Sequence, residues 1–206
     1  TQLLMIRQPL LIPLLILFGV VIFQRGEGTN ARQIGRIFIG LALILVSLEM
    51  IRGASAPMIT NPSTQAVMGY LGRDLLTAFI IGAVFAWGVH SSVAAVLLFV
   101  TLASQGLLSV AAAGAMILGA NLGGACIAFV LTLAAPIAAR RVIMANLLLR
   151  GGGAILAMSL IAAMPNLLDY LGKTATEQTI NLHLVFNLAL AVLALPVIGP
   201  VNAVLE

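Results

Sequence analysis

Three short stretches hold the residues of this chain best suited to chemistry: His90-Ser91-Ser92, Gly119-Ala120-Asn121-Leu122-Gly123-Gly124, and Arg150. All lie within apolar sequence. Ser91 and Ser92 place hydroxyls at the start of "VAAVLLFV", where they can cap a helix and donate to an oxyanion. His90 can donate to the same anion or shuttle a proton. Gly119, Gly123 and Gly124 permit close backbone approach, and Asn121 carries both amide donors and a carbonyl acceptor. Arg150 follows Arg141 by nine residues, about 13 Å along a helix, which sets it near a membrane midplane. A charge there is a candidate counter-charge for an anion.

Each feature also has a plain structural explanation. The serines can cap the helix or bond back to carbonyls without meeting a ligand. His90 can be a hydrogen-bonded packing residue. Gly119 and Gly123 fit a small-xxx-small helix contact. Arg150 can pair with Glu49 or snorkel along a tilted helix, although Arg52, three residues on, is the simpler partner for Glu49. Asn181, His183 and Asn187 lie on an apolar final segment, where interhelical hydrogen bonding accounts for them. Cys126 is the only cysteine and reads as a small buried hydrophobe.

The elements that must position these residues follow from composition. Of 206 residues, 62% are hydrophobic and 8% charged, and the mean hydropathy is +1.17. This is the composition of an integral membrane protein. At roughly 20 apolar residues per crossing, the chain has room for six or so membrane segments in one all-α bundle. The net charge of +4 comes from scattered basic residues between apolar runs, which argues for membrane orientation rather than a nucleic-acid partner. No HExxH, GxSxG, Walker loop or carboxylate cluster is present, so neither an enzyme nor an organic cofactor is expected.

Residues 1–52 are predicted to form two membrane helices, Leu3 to Phe23 and Ile37 to Ile51. The loop "QRGEGTNARQIGR" between them is cytoplasmic by its arginines. Leu75 to Ser104 is too long for one crossing and is interrupted at His90-Ser91-Ser92. Two half-helices of about fifteen residues would each reach about 22 Å, so residues 74–104 are expected to form a re-entrant hairpin. Residues 107–135 are expected to be one discontinuous spanning helix, broken at Gly119 to Gly124. Irregular backbone at that depth survives only inside protein or beside water, and the exposed amides and carbonyls of half-helix ends suit ion-coupled transport. Arg140 and Arg141 then face the cytoplasm if the hairpin enters from outside and turns back. Helices over 142–164 and 179–199 complete the chain.

Taken in order, "GVHSSVAAVLLFVTLASQGLLSVAAAGAMILGANLGG", "ARRVIMANLLLRGGGA" and "NLHLVFNLALAVLALP" resemble the sodium/inorganic phosphate cotransporter family, its type II-like group. Family repeats carry a Gln-Ser-Ser-Ser-Ala-Thr-like hairpin, a Gly-Ala-Asn-Ile-Gly-Thr-like break, an Arg-rich turn and a later His-x-x-Phe-Asn. Here His90 stands for the glutamine, Val93 for the third serine, Gly124 for the threonine, and Leu149-Arg150 where Phe-Asn is common. The resemblance runs from about residue 75 to 200 and makes residues 53–206 one such repeat. It implies a sodium-coupled phosphate symporter of the bacterial inner membrane, in some members serving efflux. It also implies alternating access between two inverted repeats. His90, Ser91, Ser92, Gly119, Asn121, Gly123 and Arg150 would line the site, with Ser92 and Asn121 on sodium. Only one half is visible, so a missing N-terminal half or a second chain is expected to complete it. The rivals are a membrane module that only packs or assembles, and a transporter of another anion.

Overall fold

In the computed structural model the described residues are 10–196, and all regular structure among them is helical. The predicted beginning of the first segment and the predicted end at 199 lie outside that range. The chain divides into two compact units, Thr1–Pro57 and Met58–Glu206. In the first, α1 (Leu11–Arg25) packs on α2 (Thr29–Ser55). Side chains on Gly19 and Gly35 would collide with the facing helix, at Ile39 and Phe23 respectively, so these glycines allow the two backbones to touch. The connection is shorter than the basic loop anticipated. Arg32 and Arg36 ride on the first turns of α2, and Arg36 lies 5.6 Å from the centre of the Phe23 ring.

The second unit contains α3 (Pro62–Arg73), α4 (Leu75–Gly88), α5 (Ser92–Ser104), α6 (Val110–Leu131), α7 (Ile137–Ala163) and α8 (Ala175–Ala194), with a short 3₁₀ helix at Pro165–Leu171 before α8. Capping explains the main junctions. Asn61 caps α3 ahead of Pro62, Asp74 caps α4 and Ser91 caps α5. Ser109 caps α6, and Thr174 with Glu177 forms a capping box on α8. Four helices are long and apolar enough to cross a membrane: α2 with its short 3₁₀ extension, α6, α7 and α8. Their outward faces are apolar, as Leu156, Leu188 and Val192 on α7 and α8 show, which is the pattern that hydrocarbon solvates. The centre is α6, more than half buried, whereas α7 and α8 are mostly exposed on their outer faces.

The expected hairpin forms. Phe79 meets Gly119 and Ala83 meets Gly123 in the same order along both helices, so α4 runs parallel to α6. After the turn, Ser92 lies against Gly124, and α5 returns antiparallel to reach the loop before α6. Arms of 14 and 13 residues are about 20 Å long, short of a hydrocarbon core about 30 Å thick. The tip therefore stops level with Gly124, about two-thirds of the way along α6.

The expected break at Gly119 to Gly124 does not form: α6 winds without interruption from Val110 to Leu131. The glycines serve approach instead. A Cβ on Gly119 would overlap the Phe79 carbonyl oxygen, one on Gly123 that of Ala83, and one on Gly82 that of Met116. Each helical glycine costs about 1 kcal/mol against alanine. Backbone-to-backbone packing against α4 offsets that cost, and with every amide bonded inside the helix nothing forces a break. The small-xxx-small alternative is the one the structure adopts.

Candidate functional site

The hairpin tip is built by two helix terminations of the same kind. At the end of α5, the Gly106 amide donates to the Ala103 carbonyl and Leu107 to Leu102, with Gly106 at φ +75°. At the end of α4, the His90 amide donates to Trp87 and Ser91 to Ala86, with His90 at φ +53°. Both are Schellman caps, whose left-handed position normally goes to glycine. His90 occupies it at a steric cost of about 1 kcal/mol, with Nδ1 3.1 Å from the Gly88 carbonyl and its ring stacked on Trp87. It is exposed at the tip. Ser91 Oγ accepts the Ala94 amide at 3.1 Å, so its hydroxyl is engaged in the cap. Ser92, the first residue of α5, faces Gly124 on α6.

At the hairpin base, the Asp74 carboxylate accepts hydrogen bonds from the Thr77 hydroxyl and amide and from Tyr70. These bonds, that of the Thr77 hydroxyl foremost, hold its pKa below the usual aspartate value.

The polar centre of the unit lies deeper, among α6, α7 and α8. Asn121 is fully buried. Its Oδ1 accepts from Arg150 Nη2 at 2.8 Å and from Arg150 Nε at 3.2 Å, while its Nδ2 donates to the Ile117 carbonyl at 2.9 Å. The same Nδ2 lies 3.5 Å from His183 Nδ1 on α8. Asn187, one turn along, donates to the His183 carbonyl at 2.8 Å and places its amide 3.3 Å from His183 Nδ1. The glycines of α7 make room for this arrangement: Gly151 faces Leu122, and Gly153 faces Phe186 and Leu190.

The structure thus sorts the candidates. Asn121 and Arg150 meet, and the arginine is neither paired with an acid in this unit nor snorkelling. Among the described residues of the unit no carboxylate pairs with it. Ser92, on α5, lies against Gly124 of α6, three residues beyond Asn121. Gly119 and Gly123 face α4 and belong to the packing seam. Sequence reasoning left His183 and Asn187 as helix glue, because the Asn121 contact spans 62 positions; the signal that was available is their spacing of four on one helix face.

The family described as Na+/Pi-cotransporter matches residues 55–198. A Salmonella typhimurium protein named "Putative inorganic phosphate export protein YjbB" is 37% identical over 184 residues, 89% of this chain and 34% of that protein. The Escherichia coli K12 protein of the same name is 36% identical over 91% of this chain and 35% of its own length. An uncharacterized Bacillus subtilis protein, YqeW, is 22% identical over 95% of this chain and 64% of its own. The chain therefore spans about a third of the length of the first two relatives. No solved structure matches it. With a helical hairpin packed on a central apolar helix, and a match covering the whole second unit but its end, the chain belongs to the Na+/Pi-cotransporter family, a family of membrane transporters.

Proposed function

We propose that this chain forms one half of a sodium-coupled phosphate transporter, multi-pass in a bacterial cell membrane, that works by alternating access. Arg150, seated on Asn121, holds the anion, and Ser91 and Ser92 at the hairpin tip face it with Ser92 contributing an oxygen to sodium; the Asn121 oxygen, expected to bind sodium as well, is taken by the guanidinium. A second, inverted half, from the same protein or a second copy, supplies the opposing hairpin. The observation that carries this reading is the guanidinium of Arg150, set within the bundle on a neutral amide. A charge in a low-dielectric interior is costly unless neutralised, and a polar partner without charge leaves that task to an anion. Guanidinium geometry suits a phosphate oxyanion. The family match and the printed names of the relatives support phosphate as that anion, and those names support export as the direction of net flow.

The test is radiolabelled phosphate flux in proteoliposomes of the purified protein, with and without a sodium gradient. Sodium-stimulated flux that Arg150→Gln abolishes is expected. Absence of phosphate flux, or flux indifferent to Arg150, would return the cluster to a purely structural role.

A further inference from the structure

At the base of the hairpin α3 leaves the direction of the bundle. It is bent 109° from α4, and α4 runs parallel to α6, a helix long and apolar enough to cross a membrane. An axis so close to a right angle from that direction lies near the membrane plane. Its twelve residues reach about 18 Å, too little to cross a hydrocarbon core about 30 Å thick. Depth is set as well, because Gly72 faces Ser109, the residue that caps the start of α6. Asp74 fixes the elbow: it ends α3 and caps α4, and its Oδ2 accepts from Tyr70 of α3 at 2.9 Å and from Thr77 of α4 at 2.6 Å.

The residues of α3 fall into three stripes. Thr64, Met68 and Leu71 face inward, Leu71 buried and the other two half-buried. Gln65, Gly69 and Arg73, each four residues apart, make an exposed polar stripe. Ala66, Val67 and Tyr70, with Ser63 at the helix start, form an exposed flank, where Val67 is 56% and Tyr70 57% exposed. A helix on a protein in bulk water meets two surroundings; one at a bilayer surface meets three, namely protein, water and acyl chains. We infer that α3 is an interfacial helix, with the flank of Ala66, Val67 and Tyr70 seated at the boundary between phospholipid headgroups and acyl chains, and Gln65 and Arg73 turned to water. Tyrosine suits that boundary. Its hydroxyl is already engaged by Asp74, so the ring enters the apolar layer without stranding a donor. Exposed Leu76 and Ile80 on α4 carry the apolar surface onward from the elbow. The hairpin is thereby moored at its base in the lipid surface, whatever solute the protein carries.

Trp87 is the one tryptophan of the chain, so fluorescence can report the depth of a single site. In a Trp87→Phe background, Val67→Trp places the fluorophore on the flank and leaves the bond between Tyr70 and Asp74 intact, while Gln65→Trp places it on the polar stripe. Both proteins are reconstituted in phosphatidylcholine vesicles brominated either near the glycerol end or near the methyl end of the acyl chains. Val67→Trp is expected to lose about half its fluorescence to bromine near the glycerol end, as for a face buried about 5–10 Å. It should lose less to bromine near the methyl end and little to aqueous iodide. Gln65→Trp should respond to iodide and not to bromine. A flank tryptophan that neither brominated lipid quenches would overturn the inference, whether water or another protein surface covers it. So would one quenched most by bromine near the methyl end, which would make α3 part of a deep crossing. Should Val67→Trp fail to fold, Ala66→Trp reads the same flank with the same outcomes.

Discussion

Arg150 on α7 lays two nitrogens on a single oxygen of Asn121 on α6, Nη2 at 2.8 Å and Nε at 3.2 Å, and Asn121 is fully buried. The contact ties two neighbouring helices through a pair with net charge of one. Its consequences for stability and for anion binding can be separated, because an isosteric change adjusts the charge without altering the shape.

Asn121→Asp keeps the shape and supplies the missing negative charge, while giving up the Nδ2 hydrogen bond to the Ile117 carbonyl, whose loss partly offsets the new ion pair. The guanidinium then has an internal counter-ion, and a substrate anion meets a neutral, partly repulsive site. Thermal unfolding in detergent is expected to stay within about 1 kcal/mol of wild type or to rise, while phosphate uptake falls at least tenfold. Asn121→Leu should lower stability by about 2 kcal/mol, since it strands a half-buried guanidinium without its acceptor. Uptake retained in the aspartate variant would show that Arg150 does not bind the anion.

The seam between α4 and α6 makes a different prediction. Gly119→Ala places a methyl group into the Phe79 carbonyl and Gly123→Ala into that of Ala83, so each is expected to destabilise by about 1–3 kcal/mol through forced separation of the helices. Gly152→Ala, in helix α7 with open space around its Cβ, should instead stabilise by up to about 1 kcal/mol. Melting temperatures of the three variants, measured side by side, check the contrast. Equal shifts would mean that the seam is not closely packed.

The two ends of the hairpin arms form a second matched pair. His90→Gly places at φ +53° the residue that this conformation favours, and is expected to raise stability by about 1 kcal/mol; Gly106→Ala, at φ +75°, should lower it by a similar amount. The melting temperatures give the sign directly. A drop for His90→Gly would indicate that stacking on Trp87 outweighs the backbone cost.

Hydropathy, charge spacing and caps are properties of neighbouring residues, and all of them could be read along the chain. The membrane class, most of the helices, the turn at His90-Ser91-Ser92 and the choice of Asn121 and Arg150 as candidates came from such local patterns, whereas α3 (Pro62–Arg73) was read only as a polar stretch. Whether Gly119 to Gly124 interrupts a helix was not local. A kink and a close contact both need residues without bulk, and only the backbone of α4, lying against that stripe some forty positions away in sequence, decides in favour of the contact. The partnership of Asn121 with Arg150 and His183 was equally hidden, because three helices must fold together before a carbonyl oxygen, a guanidinium and an imidazole can share one point. Sequence by itself determined which groups would have to leave water; the tertiary structure decided which of them would find one another there.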